Sequence, residues 1–241
     1  MPSEKRTTAA LSRAYDDALF AVQGSPVVNA DETSWTEARK PAWLWTAATP
    51  LLKVFRIDPR RNREAFRRLL FDFDGVLITD RFSVYRDHDP DFRQLCWAHI
   101  LRNFKGLVER GGTAEKLGVE GQKGVAAVFW LWYRFKDGEI TRLGLRRGLA
   151  SGRARFRWLL GKHKDNPDRY ARAMAADLLE YERCLWTFAR VEGVEPTNNE
   201  AYAARGITSP RGPSARLCSG GRGPSARPAR RGAASSRGCS R

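Results

Sequence analysis

Two carboxylates in this sequence stand where strand-forming runs stop. Val27-Val28 leads through Asn29-Ala30 into Asp31-Glu32-Thr33, and Gly75-Val76-Leu77-Ile78-Thr79 leads into Asp80. β-Branched runs bounded by turn residues read as short buried strands. The end of a strand is rigid enough to hold a charged ligand group steady. Two or three such acids bind hard divalent cations, which activate a water and stabilise the leaving oxygen of a phosphodiester. A third acid, Glu200, follows the turn and cap signal Pro196-Thr197-Asn198-Asn199, which places it in the first turn of a helix. The competing reading is that Asp31-Glu32 merely opens a solvated turn. Basic candidates for phosphate contact are Arg60, Arg61, Arg63, Arg67 and Arg68 on one helix, with His99 and Arg102 on another. For these arginines a solvated face is an equal alternative, and a packing role is an equal alternative for His99 at its helix start. Trp130-Leu131-Trp132-Tyr133 and Trp158 have the chemistry to stack on bases, although aromatic positions in helices more often pack.

The elements that must position these groups follow from periodicity. Thr7 to Val22 has helical spacing and stops at Gly24-Ser25-Pro26. The opening strand ends at its carboxylates, and Ser34 to Lys40 reads as a polar excursion. Trp43–Ala48 and Leu51–Ile57 read as strands joined by a Thr49-Pro50 turn. Arg60–Leu70 is a basic amphipathic helix with Phe66, Leu69 and Leu70 inward. Gly75–Asp80 is a fourth strand and Arg93–Ala98 a fifth. A helix spans His99–Arg110, closed by Gly111-Gly112, and longer helices span 114–137, 139–161 and 167–191. In the order β-β-β-α-β the first and fourth strands lie side by side in parallel, which brings Asp31 to Asp80. The whole order, β-β-β-α-β-α-β-α followed by further helices, is that of an α/β, ribonuclease-H-like mixed sheet. Expected segments are an N-terminal helix (1–24), the first part of the catalytic core (25–113), a helical insertion (114–191), a short third-acid helix (192–205) and a disordered tail (206–241).

Composition narrows the partners. The 241 residues are 42% hydrophobic with eight Trp, enough for a sizeable core. A formal charge of +16 points to a polyanion. The nine arginines of residues 205–241 account for nine of those charges, leaving +7 for the rest. Four cysteines without CxxC spacing and three histidines argue against structural zinc or a disulfide framework. No secretory signal and no apolar run of membrane-spanning length is present, so a cytoplasmic, nucleoid-associated location is expected. The tail, with Arg-Gly-Pro-Ser-Ala-Arg at both 211–216 and 222–227, is too poor in apolar residues to fold. It reads either as a basic DNA-contacting arm or as out-of-frame translation of GC-rich DNA.

The motifs Asn29-Ala30-Asp31-Glu32-Thr33, Thr79-Asp80-Arg81-Phe82-Ser83-Val84-Tyr85, Cys96-Trp97-Ala98-His99 and Glu195-Pro196-Thr197-Asn198-Asn199 occur in this order. Together they resemble the transposase of insertion sequence sixty-six, an acidic-triad (DDE) family, over about Ser25 to Asn199. The resemblance implies a ribonuclease-H-like catalytic domain with a helical insertion. It also implies two Mg2+ or Mn2+ ions, and cleavage and joining of double-stranded DNA at transposon ends by a protein that can act as a homo-oligomer. Asp31 and Asp80 match the first two family acids. The third departs from the pattern. In the family a Glu-Arg pair follows the Pro-Thr-Asn-Asn turn after two residues, at the position of Tyr202, whereas Glu200 comes two residues early. That is a rotation of about 200° on a helix, which turns Glu200 away from the other acids. The substitution and the tail that follows it imply an altered copy or fragment with impaired activity, or a DNA-binding remnant without catalysis. A rival resemblance is that of Phe71-Asp72-Phe73-Asp74-Gly75 to the first motif of haloacid-dehalogenase-type phosphatases, whose first Asp is a nucleophile. It lacks the apolar strand leading into Asp72 and a later acidic motif.

Overall fold

The computed structural model describes residues 2–203. The expectation for the tail, 206–241, lies outside the described residues. The first helix, α1 (Pro2–Gln23), ends where Gly24 N donates to Phe20 O at 2.9 Å. Its Val22 is buried, with Tyr15, Ala18 and Leu19 packed beside it. Strand β1 (Val27–Glu37) is longer than the sequence suggests, because Ser34–Lys40 is no loop. It pairs antiparallel with β2 (Lys40–Ala48) out to Glu37 opposite Lys40. The hairpin turns at Ala38 and Arg39, both at positive φ (48° and 64°), the backbone signature of a type I′ turn. The polar side chains of this arm are exposed while its backbone bonds come from the partner strand, so polarity alone did not reveal it.

At the next corner the Thr49 hydroxyl accepts from Leu51 N and Leu52 N, and β3 (Lys53–Asp58) follows. Asn62 caps α2 (Arg63–Leu69) through Ala65 N at 3.0 Å, so this helix begins later than Arg60. Phe66, Leu69 and Leu70 point inward as the periodicity requires. β4 (Val76–Thr79) and β5 (Arg93–Leu95) complete the sheet. Between them, where the expected element order has its second α, the chain makes two 3-10 turns, Ser83–Tyr85 and Pro90–Phe92. The fifth strand stops at Leu95, three residues early. Cys96 becomes the cap of α3 (Trp97–Arg110), and Trp97 N donates to Pro196 O rather than to a strand.

Long helices α4 (Gly112–Lys136) and α5 (Arg142–Lys162) follow, then α6 (Arg169–Glu180), a 3-10 turn at Glu182–Leu185, α7 (Thr187–Arg190) and α8 (Asn199–Ala203). The single helix expected over 167–191 is broken near Tyr181. There the Gln94 amide accepts from Phe188 N and donates to Leu185 O, and Trp97 Nε1 donates to the same carbonyl. Side chains from β5 and α3 thus satisfy main-chain groups that a continuous helix would have used internally.

The sheet order is β3-β2-β1-β4-β5, with β1, β2 and β3 antiparallel and β4 and β5 parallel to β1. Alternation assigns the two faces. Val28, Ala30, Trp45, Ala47, Val54 and Leu77 pack under α1 and α2, while Val76, Ile78 and Leu95 pack under α3 and the helices beyond it. None of the described helices is long and apolar enough to cross a membrane.

Candidate active site

Parallel pairing sets Val27 beside Val76, Val28 beside Leu77 and Asn29 beside Ile78. Carried two residues further, the same register puts Asp31 beside Asp80. By alternation both leave the sheet on the face of Asn29 and Ile78, toward α3. The expected meeting of the first and fourth strands is therefore found, with one change. Asp31 lies two residues beyond the last parallel pair with β4 but still inside β1, whose other edge continues along β2 opposite Thr46. Asp31 is buried, and its Oδ1 accepts from Glu32 N at 3.0 Å. Asp80 is half-buried, and its Oδ1 accepts from Phe82 N at 2.8 Å in a tight turn.

The backbone under Asp80 is pinned by Arg93, a residue that neither motif nor spacing singles out. Its side chain is buried, with Nη2 donating to Asp80 O at 3.0 Å and Nε to Thr79 Oγ1 at 3.3 Å. A basic residue opening a short strand looks like a solvated edge. Only the β4–β5 pairing, which sets it beside Leu77, turns it inward.

Glu32 is turned away from Asp31 and is not solvated. It leaves β1 on the opposite face from Asp31, and its side chain is 1% exposed. Tyr85 Oη donates to its Oε2, and Arg61 donates twice to its Oε1, at 2.6 and 3.1 Å. Burial is the largest influence on Glu32 and raises its pKa to about 7, with the neighbouring Asp80 and Asp31 pushing the same way against the Tyr85 and Arg61 bonds. Arg61 also lies over the rings of Phe82 and Trp43, at 4.0 and 4.6 Å. The trio ties β1, the α2 lead-in and the 80–86 segment together directly beneath the two aspartates.

Asp80 opens into a cleft of about 640 Å³ between the 80–86 segment, α3 and α6. His99, Arg102, Arg61, Arg81, Arg86 and Arg110 are among its lining groups. Part of this charge is compensated, because Arg81 and Arg86 share the two oxygens of Asp177 and Arg110 pairs with Asp168. Of the α2 set, Arg61 alone reaches the cleft. Arg60 pairs with Glu64, Arg63 and Arg67 with Asp87, and Arg68 with Asp58. Trp132 is core, while Trp130 and Trp158 stand exposed on the helices.

Glu200 lies in the first turn of α8, as the cap signal requires. It is part-exposed and paired with Lys53 on β3 at 3.8 Å. Before it, Asn198 N donates to Cys96 Sγ and Asn198 Nδ2 to Ala30 O, at 3.4 and 3.5 Å, holding the turn against β1. Among the described residues no group of three or more His, Cys, Asp or Glu side chains is placed to hold a metal ion. The acids present amount to the Asp31–Asp80 pair, which fits part of a two-ion centre and not the whole of it.

Asp72 and Asp74 are exposed on the turn between α2 and β4, ahead of the strand instead of at its end. The Phe-Asp-Phe-Asp-Gly run is a packing corner. A Cβ on Gly75 would lie 2.9 Å from both Ser25 O and Pro26 O, and Phe73 stacks on His88. The phosphatase-like geometry is therefore missing.

No curated protein and no solved structure matches the chain. A family model described as Transposase IS66 family matches residues 3–205. That span takes in every element from β1 to α8, including both aspartates, and the chain belongs to the IS66 family of transposases.

Proposed function

We propose that this chain is a ribonuclease-H-like transposase core that acts on double-stranded DNA, with Asp31 and Asp80 as its first two catalytic acids. The observation that carries this reading is the parallel pairing of β1 with β4, whose register sets Asp31 beside Asp80, and Asp80 lines an arginine-rich cleft. Three antiparallel strands followed by two parallel ones, β4 beside β1 and β5 beside β4, support the fold assignment. Residues 25–113 form the first part of the core, 114–191 a helical insertion and 192–205 the third-acid segment. If Mg2+ or Mn2+ binds, Asp31 and Asp80 are its ligands, supplying two hard oxygen donors of the type such ions require. Asp80 is held in place by Arg93 and by Phe82 N, and Asp31 by its bond from Glu32 N. Among the described residues no third ligand joins them, and Glu200 pairs with Lys53 instead. Cleavage and strand transfer are accordingly impaired.

The second reading, DNA binding without catalysis, is favoured by the same Lys53–Glu200 pair. A nicking assay on supercoiled and end-containing duplex DNA with Mn2+ or Mg2+ separates the two. Weak metal-dependent nicking that is abolished by Asp31→Asn or Asp80→Asn, unaffected by Glu200→Gln and raised by Tyr202→Glu, supports the impaired enzyme. No nicking in any of these proteins, with DNA binding retained, supports the inactive binder. Strong nicking that Glu200→Gln abolishes would overturn the assignment of the missing third acid.

A further inference from the structure

The helix that the sequence marks as basic, α2, is largely neutralised in the fold, whereas α5 is not. α5 (Arg142–Lys162) carries six Arg and one Lys and no Asp or Glu. Three of these arginines are engaged by the protein itself. Arg142 donates to Phe188 O and Val191 O, Arg153 grips Glu182 at 2.6 Å, and Arg155 reaches Glu120 at 3.4 Å. Arg146, Arg147 and Arg157 are exposed and form no ion pair among the described residues.

Their placement is systematic. At 100° per residue, Arg146 and Arg157 fall about 20° apart on the helix and about 16 Å apart along it. Arg147 falls about 20° from Trp158, which is 64% exposed with Lys162 Nζ 5.3 Å from its ring. Between these rows lie Ala150, Ala154 and part-exposed Gly161, whose small size leaves the helix surface low between the guanidiniums, with Leu143 exposed between them at the N-terminal end. The buried side of the same helix is Leu145, Leu149, Phe156, Leu159 and Leu160, so its orientation is fixed by the core. A rigid helix presenting unpaired, phosphate-competent groups, over a distance longer than the ~12 Å width of the DNA major groove, fits a duplex backbone.

We infer that the exposed face of α5, through Arg146, Arg147 and Arg157, is a second DNA-backbone contact surface, separate from the cleft at Asp80. The inference rests on the reading of the chain as a DNA-acting transposase. Contact is with phosphates, so the surface contributes affinity without sequence preference.

The test is fluorescence anisotropy of a labelled duplex with the full chain over a series of salt concentrations. Each phosphate contact contributes about 0.9 to the slope of log K against log salt. Replacing Arg146, Arg147 and Arg157 together by Gln is expected to flatten that slope by about two to three. Circular dichroism and the thermal midpoint should remain those of the unchanged chain. Replacing the same residues by Lys should restore the slope, since an ammonium also neutralises phosphate. If the Gln protein is unstable, Arg146→Gln and Arg157→Gln singly should each flatten the slope by about one. An unchanged slope in a folded Gln protein that still binds DNA overturns the inference and leaves the DNA-acting reading standing. A change in self-association by light scattering with no change in slope overturns it too, and identifies the face as a contact between copies. Failure of the unchanged chain to bind duplex DNA would instead sink the reading on which the inference rests.

Discussion

Asp31, Asp80 and Glu32 place three carboxylates around the edge where β1 meets β4, and the price is electrostatic. Asp80 and Asp31 both raise the pKa of Glu32, so removing a negative charge should relieve the folded state. In metal-free buffer Asp31→Asn keeps the oxygen that accepts from Glu32 N. It is expected to raise stability by about 1 kcal/mol, or roughly 2–4 °C in the thermal midpoint for a chain of this size. A fall in the midpoint would show that Asp31 makes a structural contribution larger than its repulsion.

Glu32 gives a second prediction. Its folded pKa, about 7, lies above the unfolded value near 4.5. The protonated form is therefore favoured by folding. The stability it contributes is fully present below about pH 4.5 and is lost as pH rises through 7. The span is on the order of 3 kcal/mol for a side chain this buried. Other carboxylates titrate in the same range, so the measurement is a difference. Urea denaturation of Glu32→Gln beside the unchanged chain should show the variant gaining relative stability between pH 5 and 8. Parallel pH profiles would contradict the assigned shift.

Among the elements, the α3–α4 pair is joined where glycine permits close approach. A Cβ on Gly118 would stand 2.7 Å from Phe104 O and 2.8 Å from Val108 N, both main-chain atoms that cannot swing aside. Gly118→Ala is expected to lower stability by about 1–3 kcal/mol by chemical denaturation, despite alanine's better helix propensity. The β1–β2 turn offers the opposite change. Ala38 and Arg39 both adopt positive φ, which disfavours residues with a Cβ by about 1–2 kcal/mol each. Substituting Asn at 38 and Gly at 39 supplies the residues a type I′ turn prefers. A stabilisation of roughly 0.5–1 kcal/mol is expected, the added freedom of glycine in the unfolded chain offsetting part of the relief.

For the whole molecule, charge is the property with functional reach. Residues 1–204 retain +7 after the nine arginines of 205–241 are set aside, and within them the cleft and α5 concentrate the basic groups. A chain ending at Arg205 is therefore expected to keep salt-dependent duplex binding, with a shallower slope than the full chain in the same titration. Complete loss of binding would place all DNA affinity in the tail.

The sequence by itself determined that Val27–Val28 and Val76–Thr79 are strands, that each leads into an aspartate, and that Glu200 opens a helix out of phase with the expected third acid. These follow from local chemistry: β-branched runs, caps and helical phase act over a few residues. The family motifs likewise stand in the chain as written. Only tertiary structure decided that Glu32 is buried against Tyr85 and Arg61, that Arg93 pins Asp80, and that Ser34–Lys40 belongs to a hairpin. It also decided that α2's arginines are taken up in ion pairs, while three of α5's form none among the described residues. Each depends on which group from a distant part of the chain arrives alongside, and residue type and spacing carry no record of that partner.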